Sequence, residues 1–151
     1  MTKEVKRRLT EFEWHYADQD PRASRELSRR IAQAGRRQEL ITYSNLVRGV
    51  TFQISSVNEG RPFEIDPNVW SDLHRAIIGD FLGCISAESY ERAGVFASAI
   101  VVTKADGTPG PGFANFMHDL GVLSAPSETA ALECWVREVE KVHAWYRTSG
   151  H

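Results

Sequence analysis

Apolar side chains recur every three or four residues through most of this chain, and that spacing restricts it to a fold built mainly from amphipathic helices. The clearest stripe consists of Leu132, Trp135, Val136, Val139, Val142 and Tyr146. Such stripes predict helices over residues 3–18, 21–37, 113–120 and 126–147, and a long helix that begins at residue 67. The segment "SAESYERAG", residues 86–94, either continues this long helix or adds a short turn of helix, and it stops at Gly94. Two of these helices follow an Asp-Pro pair, in which Asp20 or Asp66 is placed to cap the helix and proline takes its first position.

Shorter segments between these helices predict a small amount of extended structure. Ile41 is expected to be extended, and Thr42 to cap a short helix that stops at Gly49. The segment "VTFQISS", residues 50–56, alternates apolar and polar side chains, as a half-buried strand does. The segment "VFASAIVVT", residues 95–103, is apolar on both faces and predicts a central strand. We therefore expect an α+β protein.

The length of 151 residues fits one domain with a substantial core. We expect residues 1–151 to form a single domain with three parts. These parts are a helical N-terminal extension (1–37), a core with a small sheet (38–113) and C-terminal helices that end in a long one (114–151).

The net charge is only −2, but the charges are unevenly distributed. Residues 1–48 contain eleven Lys or Arg and seven Asp or Glu, whereas residues 49–151 contain seven and thirteen. A basic N-terminal third can meet phosphate or an acidic partner, although a solvated helix face also carries such charge.

Several features point to the cytoplasm as the compartment. The apolar runs are too short to span a bilayer, so no membrane is expected as a partner. The charged N-terminus does not resemble a secretory signal. Cys84 and Cys134 are isolated, which favours two free thiols in a reducing compartment and is unlike the spacing of a zinc site.

The segment "VVTKADGTPGPGF", residues 101–113, is rich in glycine but is a poor phosphate cradle. It lacks the Gly-Lys-Ser/Thr ending of a P-loop, and Pro109 and Pro111 remove two N–H donors. A structured turn is the better interpretation. Ser98 in "FASAI" does not stand in a Gly-x-Ser-x-Gly elbow, and His118 is not part of a recognisable triad. The sequence therefore indicates no cofactor, metal site or assembled catalytic group.

The order of elements from residue 38 onward is that of a winged helix-turn-helix. Three segments, "ELITYSNLV", "HRAIIG" and "SAIVVTKADGTPGPGF", resemble the DNA-binding domain of alkylguanine-DNA alkyltransferases and their alkyltransferase-like relatives. The resemblance covers about residues 38–113 and implies that Tyr43 supports the target phosphate. It also implies that Arg75 fills the gap left by a flipped base.

The same resemblance excludes alkyl transfer. Ser98 stands where the family keeps its alkyl-accepting cysteine, and Ala99 where it keeps the histidine that activates that cysteine. "HRAIIG" also has one residue more than the family's Arg-Ala-Val-Gly motif. The pattern "ITY…L…PG.GF" is similar to that of small, uncharacterised bacterial proteins as well.

These observations predict a non-catalytic binding module on a winged-helix-like core. One hypothesis is DNA binding, with Tyr43 and Arg75 at the groove and Arg48 and Lys104 on phosphates. The other is an interaction or accessory protein of a bacterial system, whose acidic C-terminal half meets a protein partner or a second copy. A third hypothesis is an unrecognised enzyme that uses Ser98, His118 and Arg75.

Overall fold

The computed structural model describes residues 2–124 and 127–149, and in that part of the chain it has six α-helices and two small sheets. The helices are α1 (Thr2–Leu9), α2 (Pro21–Arg36), α3 (Tyr43–Val47), α4 (Asp72–Ala93), α5 (Pro111–Asp119) and α6 (Glu128–Ser149). The strands are β1 (Ile41–Thr42), β2 (Thr51–Phe52), β3 (Phe63–Glu64) and β4 (Val101–Val102). The predicted α+β class is confirmed.

Local capping signals explain where two of the helices begin. The Asp20 carboxylate caps α2 by accepting a hydrogen bond from the Ala23 N–H at 3.1 Å. The Thr42 hydroxyl caps α3 by accepting one from the Asn45 N–H, also at 3.1 Å. Both starts agree with the sequence-based predictions.

The predicted N-terminal helix over residues 3–18 is wrong beyond Leu9, where α1 ends. The chain then turns, and Phe12 stacks on Trp14 with ring centroids 5.3 Å apart. Both rings also pack edge-on against Phe116 of α5. The regularly spaced apolar residues beyond Leu9 therefore pack in an aromatic cluster and not along a continuous helix.

The long helix begins later than predicted, because Ser71 rather than Asp66 is its cap. The Ser71 hydroxyl accepts a hydrogen bond from the His74 N–H at 3.0 Å. The Asp66 carboxylate instead accepts one from the Asn68 N–H, two residues on, and so closes a turn. At the other end α4 stops at Gly94, which has the left-handed φ of 72° that glycine tolerates best.

The two sheets are short, and the predicted central strand over residues 95–103 is wrong except at Val101–Val102. Parallel β1 and β4 pair Ile41 with Val101, and antiparallel β2 and β3 pair Phe52 with Phe63. Residues 97–100 form a turn of 3₁₀ helix. Their backbone is held by serines of α4 rather than by a neighbouring strand, since the Ala97 and Ser98 N–H groups donate to serine hydroxyls.

One hydrophobic cluster includes buried side chains from all six helices. Helices α2 and α6 pack against each other at Gly35. A Cβ atom added at Gly35 would lie 2.1 Å from the Tyr146 ring, so only glycine fits there. In sequence, the β2–β3 hairpin lies between α3 and α4. The winged-helix core and the division of the chain at residues 37 and 113 stay predictions.

Candidate nucleic-acid interface

Tyr43, the first residue of α3, links three segments of the candidate site. Its half-buried ring meets Trp70 edge-on, with ring centroids 6.4 Å apart, just before α4 begins. Its hydroxyl lies beside Gly110, which caps α5. Burial raises the pKa of Tyr43, and the Gly110 backbone partly opposes that shift. Tyr43 therefore contacts both the segment that precedes α4 and the segment that begins α5.

The two predicted phosphate contacts, Arg48 and Lys104, lie on segments that Tyr43 connects. Arg48 is the residue at which α3 ends, and Lys104 lies in the turn before α5. Both are exposed, and within residues 2–124 and 127–149 neither side chain has a hydrogen bond or ion pair. The turn itself is closed by the Thr103 N–H, which donates to the Thr108 carbonyl at 2.8 Å. This glycine-rich segment is thus the structured turn that the sequence predicts.

Arg75 differs from these two cations because its charge is already compensated. It is exposed in the first turns of α4, where its guanidinium donates to the Asp72 carboxylate at 3.2 Å. Two more exposed acidic residues, Glu64 and Asp66, precede the helix. This acidic setting does not favour insertion of α4 beside DNA phosphates.

Ser98 is buried and hydrogen-bonded inside the fold. The Ser86 hydroxyl donates to the Ser98 hydroxyl at 2.7 Å and accepts from the Ser98 N–H at 3.1 Å. His118 has a different partner, since its Nδ1 lies 3.0 Å from the Leu123 carbonyl. In the described part of the chain no hydrogen bond joins Ser98, His118 and Arg75, so the geometry does not assemble the residues of the enzyme hypothesis.

The Ser98 side chain is expected to matter for stability and not for ligand binding. Ser98→Ala removes the contact between two hydroxyls, while Ser86 keeps the backbone N–H as a partner, so the free energy of unfolding should fall by about 1 kcal/mol. Urea denaturation measures this change, with DNA affinity as the companion readout. A loss of affinity at unchanged stability would instead place Ser98 in the interface.

Six arginines and one glutamate lie in α2 and the residue that follows it, residues 21–37. Arg30 is directed inward, where its guanidinium donates to three carbonyls at the end of α3, including that of Arg48 at 2.7 Å. Glu26 accepts hydrogen bonds from Arg29 and Arg30, which lower its pKa to about 2. The sequence reasoning missed this network, although the spacings of three and four residues on one helix could have indicated it.

Three further observations concern metal binding, membrane-spanning helices and a surface groove. In the described part of the chain, no group of three or more His, Cys, Asp or Glu side chains is arranged to hold a metal ion. None of the helices described is both long enough and apolar enough to cross a membrane. An open groove of about 320 Å³ runs between α1 and the end of α5, where Arg8 donates to the Asp119 carbonyl at 3.1 Å and so joins the two helices.

Comparison of the chain with protein-family models, with curated proteins and with solved structures finds no match. The likeness to alkyltransferases therefore stays a prediction that rests on the three quoted segments.

Proposed function

We propose that the protein is a non-catalytic module that binds duplex DNA through its phosphates. The observation that carries the proposal is the state of Arg48 and Lys104, which are exposed and unpaired within the described residues. Tyr43 connects the segments that present them. An unpaired surface cation releases the counterions of DNA without first breaking an internal ion pair.

The state of the thiols supports a binding role rather than group transfer. Both cysteines are free. Burial raises the pKa of Cys84 to about 11 and raises that of Cys134 as well. A protonated thiol is a weak nucleophile. Neither cysteine therefore takes over the role of the alkyl-accepting cysteine, whose position Ser98 occupies in the resemblance. Free thiols also fit the reducing cytoplasm that we propose as the compartment.

If Arg48 and Lys104 contact phosphates, removing both cations should make DNA affinity less dependent on salt concentration. Each phosphate contact contributes about 0.9 to the slope of log K against log salt concentration, so Arg48→Ala/Lys104→Ala should flatten the slope by about 1.8. Fluorescence anisotropy of a labelled duplex measures the slope. Lys3→Ala/Lys6→Ala is the matched control, since it removes two exposed charges from α1 and should leave the slope unchanged. Equal slopes for the two variants would contradict the proposal.

The second candidate is a protein-interaction module, and one feature of α6 favours it. Leu132 and Val136 lie one turn apart and are 50% and 43% exposed, so the prediction that the whole apolar stripe of the last helix is buried is wrong at these two positions. Sedimentation of the isolated chain separates the two candidates. A stable dimer that does not bind DNA would favour the protein-interaction module.

A further inference from the structure

We infer that the outward face of α2 is a second phosphate-binding surface, which contacts duplex DNA irrespective of base sequence. This surface, the α2 ridge, consists of Arg22, Arg25, Arg29 and Arg36. The inference rests on the proposed function for the identity of the ligand. It concerns residues outside the segment that resembles alkyltransferases, so it can fail while the proposed function stands.

The burial pattern of α2 sets the direction of the ridge. Ala23, Leu27, Ile31 and Ala34 are buried and form the inner face. With 3.6 residues per turn, Arg25, Arg29 and Arg36 fall on the opposite face, and Arg22 lies beside them. All four are exposed. Arg22, Arg29 and Arg36 follow one another at intervals of seven residues, or about 10.5 Å along the helix axis.

The charge of this ridge is not explained by the stability of the helix. The pairs Arg22–Arg25 and Arg25–Arg29 place like charges three and four residues apart, which destabilises a helix. The other long helices, α4 and α6, contain more acidic than basic residues, whereas α2 contains five arginines and one glutamate. Glu26, the one acidic residue of α2, is shared between two arginines. A polyanion laid along the ridge would relieve this repulsion.

The beginning of the ridge lies beside β2, because the Arg22 guanidinium donates a hydrogen bond to the Thr51 carbonyl.

The chemistry of the ridge favours a duplex over an acidic protein. Duplex DNA carries a negative charge about every 1.7 Å along its axis, so cations about 10.5 Å apart find phosphates in any register. Arg25 and Arg36 have no hydrogen bond or ion pair with the described residues, so their planar guanidinium groups are available to meet a phosphate with two parallel hydrogen bonds. Contacts to phosphate carry no information about bases, so we expect binding without sequence preference.

The test compares charge variants of α2 in the full chain. Arg25→Gln/Arg36→Gln removes two cations that have no hydrogen bond or ion pair with the described residues, and glutamine keeps the helix propensity. We expect the slope of log K against log salt to flatten by about 1.8, and affinity at about 0.1 M salt to fall about 60-fold. The loss should be the same on two duplexes of unrelated sequence. Arg25→Lys/Arg36→Lys should retain most of the slope.

A gain-of-function variant completes the experiment. Glu26→Gln releases Arg29 from its ion pair and should strengthen binding several-fold, a result that a purely structural role would not produce. Unchanged slope and affinity in Arg25→Gln/Arg36→Gln, with a loss in Arg48→Ala/Lys104→Ala, would overturn the ridge and leave the proposed function standing. Competition by polyglutamate as strong as that by DNA of equal charge would overturn the assignment to a duplex. Failure of the unaltered protein to bind DNA would overturn both.

Discussion

Replacing Gly83 with alanine is expected to lower the free energy of unfolding by about 3 kcal/mol. A Cβ atom at this position of α4 would lie 2.4 Å from the Trp14 ring, closer than real contacts allow. Trp14 cannot move aside, because it is stacked on Phe12 and packed against Phe116. The added methyl group must therefore separate α4 from the aromatic cluster.

Gly79, one turn earlier in the same helix, provides the matched control. It is exposed, and a Cβ atom there would have no neighbour within 4 Å. Gly79→Ala should raise the free energy of unfolding by about 0.5–1 kcal/mol, because alanine loses less conformational entropy in a helix. Urea denaturation of both variants measures the contrast. Changes of the same sign at the two positions would show that Trp14 does not pack on Gly83.

Replacing Asp20 with alanine should lower the free energy of unfolding by about 2–4 kcal/mol. Asp20 is 4% exposed, and its two carboxylate oxygens have different partners. One oxygen accepts from the Ala23 N–H and caps α2, whereas the other accepts from the Gln53 N–H at 2.7 Å and joins the helix to the segment after β2. Alanine removes the cap and leaves the Gln53 donor without a partner.

Two further variants separate these contributions to stability. Asp20→Asn keeps one acceptor oxygen, so its loss should be intermediate. Asp66→Ala removes an exposed carboxylate that closes only a local turn, and its effect should stay below about 1 kcal/mol. Thermal and urea denaturation give the order of the three variants. Equal losses for Asp20→Ala and Asp66→Ala would contradict the bridging role of Asp20.

The sequence predicts those helix ends that short-range chemistry determines. Asp20 before Pro21, Thr42 three residues before Asn45, and Gly94 after the last turn of α4 each act within a few residues of the chain. A local pattern is sufficient for such ends because the partner group lies in the same segment.

Elements that depend on distant partners are the ones the sequence does not predict. α1 ends early because Phe12 and Trp14 pack against Phe116, about a hundred residues away in the chain. Residues 97–100 of the strand expected over residues 95–103 instead form a 3₁₀ turn, because the Ser86 and Ser89 hydroxyls accept hydrogen bonds from its backbone. Apolar composition indicates burial in both cases but not the conformation in which the residues are buried.

Some features of the candidate site can likewise be predicted from the sequence, and others cannot. Arg48 and Lys104 are recognisable from the sequence as cations on short segments, and the structure leaves them exposed. The contact of Tyr43 with Trp70 and the inward direction of Arg30 could not be predicted, since each depends on how separate segments meet. The neutralisation of Arg75 by Asp72 is local and could have been predicted from their spacing of three residues.

The most direct test of the proposed function is the salt dependence of DNA binding by the unaltered protein. Anisotropy of a labelled duplex of about 20 base pairs, titrated between about 50 and 200 mM salt, gives the slope of log K against log salt. The phosphate contacts of Arg48 and Lys104 predict a slope of about −1.8. Those of Arg25 and Arg36, the two arginines of the α2 ridge without a partner among the described residues, bring it to about −3.6. Absence of binding at the lowest salt concentration, or a slope flatter than about −1, would contradict the proposal that this chain is a DNA-binding module.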